Sequence, residues 1–238
     1  MNNMKLAIAI GSVCFGLAGA QHAAAAVLYW DDFNVGTSAV PGGIALAGLA
    51  GVGATDQTDF NTKLAAGGWE AVLFGEQNTN VFSGSAAALS AWVTGGGKLI
   101  GTTWLTGGLD SLLDAVGASF NGTTITTDAD PIFAGLGPTI SLSNPGWGTF
   151  SQGWTATSGA SCLGSLDSGG CAVIMGNGGN TYLNGPLNDT YLPLADGERL
   201  IANELLQLTG TRQVPEPVSL PLVGLGLAAL GFFRRKKA

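Results

Sequence analysis

Histidine is nearly absent from this 238-residue chain, and the single copy, His22, lies close to the N-terminus. Without an imidazole, a Ser–His–Asp or Cys–His site has no general base, and histidine-based zinc sites lose their usual ligand. Basic residues are scarce as well. Of nine lysines and arginines, only Lys63, Lys98, Arg199 and Arg212 fall within 27–213, together with fifteen of the sixteen carboxylates. That stretch therefore carries a net charge of −11, against −7 for the whole chain. Such a surface repels a polyanion, which excludes nucleic acid as a partner. Charged residues are only 11% of the chain and hydrophobic ones 46%, the opposite of a disordered composition. The 39 glycines keep no three-residue period, which excludes collagen.

Cysteine is limited to three copies. Cys14 belongs to the N-terminal leader described next, which leaves Cys162 and Cys171. In an oxidising compartment they can close a short loop by a disulfide, and two buried free thiols are the alternative.

Both ends read as processing segments. Residues 1–26 hold Lys5, an apolar run from Leu6 to Ala18 and the small residues Ala24, Ala25 and Ala26. This is the order of a secretory signal peptide, with cleavage expected after Ala20 or Ala26. The other end places Pro215, Glu216 and Pro217 before an apolar run, 218–233, and a basic cluster of Arg234, Arg235, Lys236 and Lys237. As a helix that run spans about 24 Å, short of a hydrocarbon core of about 30 Å. It crosses if the basic residues snorkel and the bilayer thins, with the positive end in the cytoplasm. The glycines at 224 and 226 lie inside this apolar segment and follow no strand, so they make no dinucleotide loop. Motif (214–217), apolar span and basic tail together resemble the PEP-CTERM sorting signal of Gram-negative bacteria that make extracellular polysaccharide. The resemblance implies recognition by an exosortase, cleavage near Pro215–Glu216–Pro217, and release or attachment at the cell surface.

What remains, 27–213, suits a single domain. Short apolar runs alternate with alanine-rich helical stretches, which predicts an α/β fold: a largely parallel sheet flanked by helices. Strands are expected at 27–31, 69–74, 98–103 and 171–175. Helices are expected at 40–49, from a cap at Thr58 or Asp59 to Ala66, at 85–94, at 105–116, and from a cap at Asp196 to Leu208. Between 121 and 170 the glycine- and threonine-rich chain predicts short irregular strands or a long excursion. The runs WEAVLFGEQ, ALSAWVTGGGKLIGTTWLTGGLDSLLDAVG, DADPIFAGL and ERLIANELLQL resemble the class I glutamine amidotransferase-like superfold and its ThuA-like relatives. In catalytic members the strand matching Leu99–Thr103 ends in a sharp elbow bearing a nucleophilic cysteine, served by a later histidine and acid. Here Thr103 takes the cysteine position, and no histidine follows it.

In open α/β sheets ligands bind outside the carboxyl ends of the strands. That edge is expected to carry Asp31 and Asp32, Glu76, and Thr103, residue types that hold a sugar or a hard cation. No calcium-loop spacing is present and the sequence implies no cofactor. Asp128 and Asp130 precede Pro131 in a polar loop and read as a turn, as do residues 176–179. The leading expectation is a non-enzymatic, exosortase-sorted surface or matrix protein that binds a partner or an extracellular polysaccharide. The alternative is an extracellular glycan hydrolase using a carboxylate pair such as Asp31 and Glu76, chemistry that needs no histidine.

Overall fold

Runs that are apolar on both faces set the architecture, because a strand covered by helices on each side has no polar face to show. The structure, a computed structural model, describes residues 26–32, 37–77, 81–144, 148–190 and 194–210. Residues 1–25 of the expected leader, the Pro215–Glu216–Pro217 motif, the apolar run 218–233 and the basic cluster lie outside the described residues. The first half of the chain forms β1 (Ala26–Asp31), α1 (Val40–Leu46), β2 (Ala50–Gly53), α2 (Gln57–Ala66), β3 (Ala71–Glu76), α3 (Val81–Thr94) and β4 (Leu99–Thr103). It continues through α4 (Leu109–Leu112), β5 (Ala115–Phe120), β6 (Thr124–Thr126), β7 (Thr139–Ser141), β8 (Gln152–Ala156) and β9 (Ser161–Leu166). The last elements are β10 (Cys171–Gly176), β11 (Thr181–Asn184) and α5 (Leu194–Thr209).

The helix-flanked part of the sheet runs β2-β1-β3-β4-β11, with every neighbouring pair parallel. Beyond β11 the strands pair antiparallel, through β10 to β9, β6 and β7 and, on a branch, from β10 to β8 and β5. The fold is thus an α/β sheet whose parallel strands are flanked by helices. One face buries Val27, Leu73, Ile100 and Tyr182 against Ile44 of α1 and Leu200, Ile201 and Leu205 of α5. The other buries Leu28, Phe74, Leu99 and Leu183 against Phe60 and Leu64 of α2 and Leu89 and Val93 of α3. Each fully buried side chain of this size contributes about 1.5–3 kcal/mol relative to exposure. Glycine has a packing role in α1: a Cβ on Gly43 would stand 2.7 Å from Cβ of Ile201, so only glycine lets α5 come this close.

Several expected boundaries move. The helix expected at 40–49 stops at Leu46, and residues 50–53 become β2, an edge strand stabilised by pairing with β1 rather than by its own glycine-rich sequence. The cap of α2 is Asp56, whose carboxylate accepts the Asp59 amide at 2.9 Å, ahead of the expected Thr58 or Asp59. Helix α3 begins at Val81 instead of 85, and α5 begins at Leu194, with Asp196 in its first turn rather than at the cap. The largest correction concerns 105–116, expected as one helix. Only the turn α4 forms, because Asp114 adopts a left-handed conformation (φ 60°) and the chain continues as β5. The spacing of Leu109, Leu112, Leu113 and Val116 misleads because Leu109 in α4 and Leu113 at its end are core residues while Val116 is exposed on a strand. Asp128 and Asp130 are turn residues, accepting the amides of Asp130, Gly164 and Ile132.

Cys162 of β9 and Cys171 of β10 form a disulfide, with Cα atoms 5.4 Å apart. In the chain-entropy model a loop this short contributes about 3 kcal/mol. Replacing both cysteines by alanine is therefore expected to lower the denaturant-derived stability of the oxidised protein by roughly that amount. Two titratable thiols in the native oxidised chain would contradict the bridge.

Candidate functional site

The carboxyl ends of the parallel strands converge on one crest: Asp31 closes β1, Glu76 closes β3, Thr103 closes β4 and Asn184 closes β11. Strand alternation decides which face each side chain leaves from. Asp31 continues the series Val27, Tyr29 towards α1 and α5, and in register with it lie Gly75, Thr102 and Asn184. Glu76 and Thr103 continue Val72, Phe74 and Leu99 towards α2 and α3.

On the first face Asp31 is tied at both oxygens. Asn188 Nδ2 donates to its Oδ1 at 2.9 Å, and the Ser38 hydroxyl donates to Oδ2. Asn188 in turn accepts from Thr102 Oγ1 at 2.9 Å, and its backbone carbonyl accepts the Ala39 amide at 3.1 Å. The bridge passes directly over Gly75, where a Cβ would stand 2.3 Å from Asp31 Oδ1 and 2.9 Å from Asn188 Nδ2. Burial pushes the Asp31 carboxyl up, against the lowering effect of its two donors. Burial likewise pushes Asp189 up, to about 6, with the Asp31 carboxylate adding to it.

On the second face Glu76, only 4% exposed, accepts the Phe82 amide at 3.0 Å and the Thr103 hydroxyl at 3.2 Å. Thr103 Oγ1 also accepts the Leu105 amide at 3.0 Å and has no exposed surface. Neither Thr103 nor Trp104 has a positive φ, so the chain leaves β4 without a strained elbow. Burial raises the Glu76 carboxyl, and the nearby Asp110 and Asp32 carboxylates add to that. Asp32, half-buried, donates its amide to the Gly75 carbonyl at 3.1 Å.

Outside this tie two open clefts meet. One, of about 240 Å³, is lined by Glu76, Phe82, Leu105, Thr106 and Gly107. The other, of about 600 Å³, shares Thr106 and Gly107 and runs along β5 past Asp110, Phe120 and Gln152. At its far end Phe120 is 43% exposed, and Trp104 has its ring 5.4 Å from both Phe120 and Phe150. Among the described residues no lysine or arginine lines either cleft. Among the described residues no three histidine, cysteine, aspartate or glutamate side chains converge as metal ligands.

Chemically, the crest can hold but is poorly arranged to attack. Thr103 is spent as donor to Glu76 and acceptor from Leu105, and no substrate reaches a hydroxyl with no exposed surface. Asp31 and Glu76, the carboxylate pair expected for glycan hydrolysis, leave opposite faces of the sheet. The Asp32 carboxylate raises both Glu76 and Asp31 electrostatically. Sequence reading missed Ser38, Asn188 and Asp189. The only signal for the last two was a polar cluster, residues 188–190, after a short apolar run, in a segment not recognised as following a strand.

Residues 213–237 match the model of the PEP-CTERM protein-sorting motif. The chain carries a PEP-CTERM sorting signal. Such a motif implies recognition by an exosortase and indicates an exported protein sorted to the cell surface. No curated protein matches the chain. Among solved structures it is similar to a GMP synthase subunit protein from Thermoplasma acidophilum (TM-score 0.55, 11% identity, 81% of this chain and 98% of that one). It is also similar to a glutamine amidotransferase from Thermotoga maritima (0.51, 8%, 82% and 100%) and to a ThuA-like protein from Bacteroides uniformis (0.50, 11%, 78% and 91%). At these identities the likeness is one of fold: ahead of its PEP-CTERM tail the chain has a glutamine amidotransferase-like α/β domain.

The tie between Thr103 and Glu76 gives a direct expectation. Thr103→Val leaves a buried carboxylate oxygen and the Leu105 amide without their partner, at a cost of about 1–3 kcal/mol in denaturant unfolding, whereas Thr103→Ser restores most of it. Equal stability of the valine variant would show that the hydroxyl is not a structural tie.

Proposed function

We propose that the protein is exported, processed by an exosortase and displayed at the surface or in the matrix of a Gram-negative cell, where its domain binds an extracellular polysaccharide without turning it over. The observation that carries the non-catalytic reading is Thr103: the position matched to the superfold's nucleophile is buried and tied to Glu76, and no described residue is a histidine. The binding reading rests on the joined clefts beside Glu76 and β5. Hydroxyl and carboxylate groups at Thr106 and Glu76 suit sugar hydroxyls, and the exposed Phe120 ring offers a face for a pyranose. With no basic residue among the described lining, and with a net −11 over 27–213, the ligand is a neutral glycan rather than an acidic one.

Before processing, the apolar run 218–233 holds the chain in the membrane with Arg234–Lys237 on the cytoplasmic side. At the other end, the carbonyl of Ala26 accepts the Glu70 amide within the sheet, which favours signal cleavage after Ala20 over cleavage after Ala26.

Two experiments address the two halves separately. Alanines at Pro215, Glu216 and Pro217 are expected to leave an unprocessed, membrane-retained chain, and normal processing and release would refute the sorting account. For the domain, affinity electrophoresis in neutral polysaccharide is expected to retard the protein, and Phe120→Ala to weaken the interaction about tenfold through loss of one stacking surface. Unchanged mobility of the wild type in neutral polysaccharides would overturn the binding account.

A further inference from the structure

Glu204 exposes none of its surface, yet it is a carboxyl group on the inner face of α5, among Leu200, Ile201, Leu205 and Leu208. Its one described hydrogen bond comes from Asn184 Nδ2, at 3.0 Å to Oε2. The other oxygen of each group, Glu204 Oε1 and Asn184 Oδ1, is buried without a partner. Both are acceptors when the carboxyl is ionised, and two unsatisfied buried acceptors on paired groups are a costly arrangement. A single proton on Oε1 removes the conflict: it supplies the donor that Asn184 Oδ1 lacks and cancels the buried charge.

Among the described residues no cation is placed to stabilise the ionised form instead. The face of the sheet packed against α5 contributes Tyr29 and Asp31 from β1 and Tyr182 from β11, and none from β3, whose residues there are Ala71, Leu73 and Gly75. Helix α1 has no titratable side chain, and the turn 131–133 brings only its cap Asp130. On α5 itself Glu198 reaches towards Gly42 and Arg199 lies along Gly135. Tyr182 is held neutral by burial and by the proximity of Glu204.

The geometry points to a neutral Glu204 that donates its proton to Asn184 Oδ1 while accepting from Asn184 Nδ2, a two-bond acid–amide clamp fastening α5 to β11. Because α5 is the last described element before the sorting motif, the clamp fastens the segment that joins the domain to its tail, and alkaline deprotonation unfastens it. This goes beyond the binding and sorting reading and does not depend on either.

Burial pushes the Glu204 carboxyl up to about 8, above the usual glutamate value of 4.5. A pKa raised in the folded state gives stability that is fully present below the unfolded value and is lost as pH rises through the folded one. The unfolding constant of the full chain is therefore expected to rise by up to about tenfold per pH unit on approaching pH 8 and then to level off. Asp189, raised to about 6, contributes only at the lower part of that range. Glu204→Gln keeps the shape and supplies a permanent N–H donor to Asn184 Oδ1. Its unfolding constant is expected to lack this rise between pH 6.5 and 8, so the two profiles diverge. Parallel profiles would overturn the clamp. If the variant fails to fold, an infrared titration of the wild type labelled with 13C-glutamate decides the matter. A neutral glutamate carboxyl band at pH 7 that persists in Glu76→Gln and disappears above pH 8 supports the clamp, and absence of that band overturns it.

Discussion

The arrangement of the crest depends on one buried hydrogen-bonded bridge, Thr102 to Asn188 to Asp31, laid across the glycine of the strand between them. It binds the ends of β1 and β4 to the loop after β11, and it does so 157 residues away in sequence from Asp31 to Asn188. The same loop continues the tie: Asn188 O accepts the Ala39 amide at the start of α1, and Asp189 and Thr190 carbonyls accept from Asn144 and Ser143. A hydrogen bond to a charged group contributes about 1.5–3 kcal/mol net, and leaving Asp31 without its donors would cost the desolvation of a buried carboxylate as well. The bridge is therefore both a fastening and an obligation.

The two faces of the crest explain why a sheet of the amidotransferase type is read here as a scaffold. Of the residues that look like a constellation in sequence, Asp31 parts from the bonded pair Glu76 and Thr103, because adjacent positions of a strand point to opposite faces. Asp31 is committed to Asn188 and Ser38, and Glu76 to Thr103 and Phe82. Each carboxylate closes a strand end, and Glu76 also borders the cleft beside it. What stays open lies beside the crest, along β5, where the bulge between Gly117 and Ser119 bends the edge strand and leaves Val116 and Phe120 exposed.

Much of the fold was legible because β3, α3 and β4 have unmistakable periods: continuous apolar strands around an alanine-rich helix with a glycine stop. The exceptions have physical causes. Residues 50–53 carry no alternation of their own and become a strand only by pairing with β1. The leucines of α4 imitate a longer helix, and nothing local announces that Asp114 turns left-handed; its carboxylate is held by the Asn177 amide at 2.7 Å, a contact that only the tertiary fold creates. At the crest, strand ends were legible and so Asp31, Glu76 and Thr103 were found. Their faces were not, since these depend on inter-strand register, and neither was Asn188, whose role is defined by partners distant in sequence. Glycine abundance also acquires a cause beyond turns, at Gly43 beneath α5 and Gly75 beneath the bridge.

The carboxyl edge is fastened by a buried tie, and Gly75 gives the sharpest access to it. The measurement is a double-mutant cycle of Gly75→Ala and Asn188→Ala in denaturant unfolding. The added methyl falls on the Asp31–Asn188 bond, so Gly75→Ala alone is expected to cost about 2–4 kcal/mol, and much less once Asn188 is already alanine. A Gly75→Ala variant within about 0.5 kcal/mol of the wild type, or costs that simply add, would contradict the account.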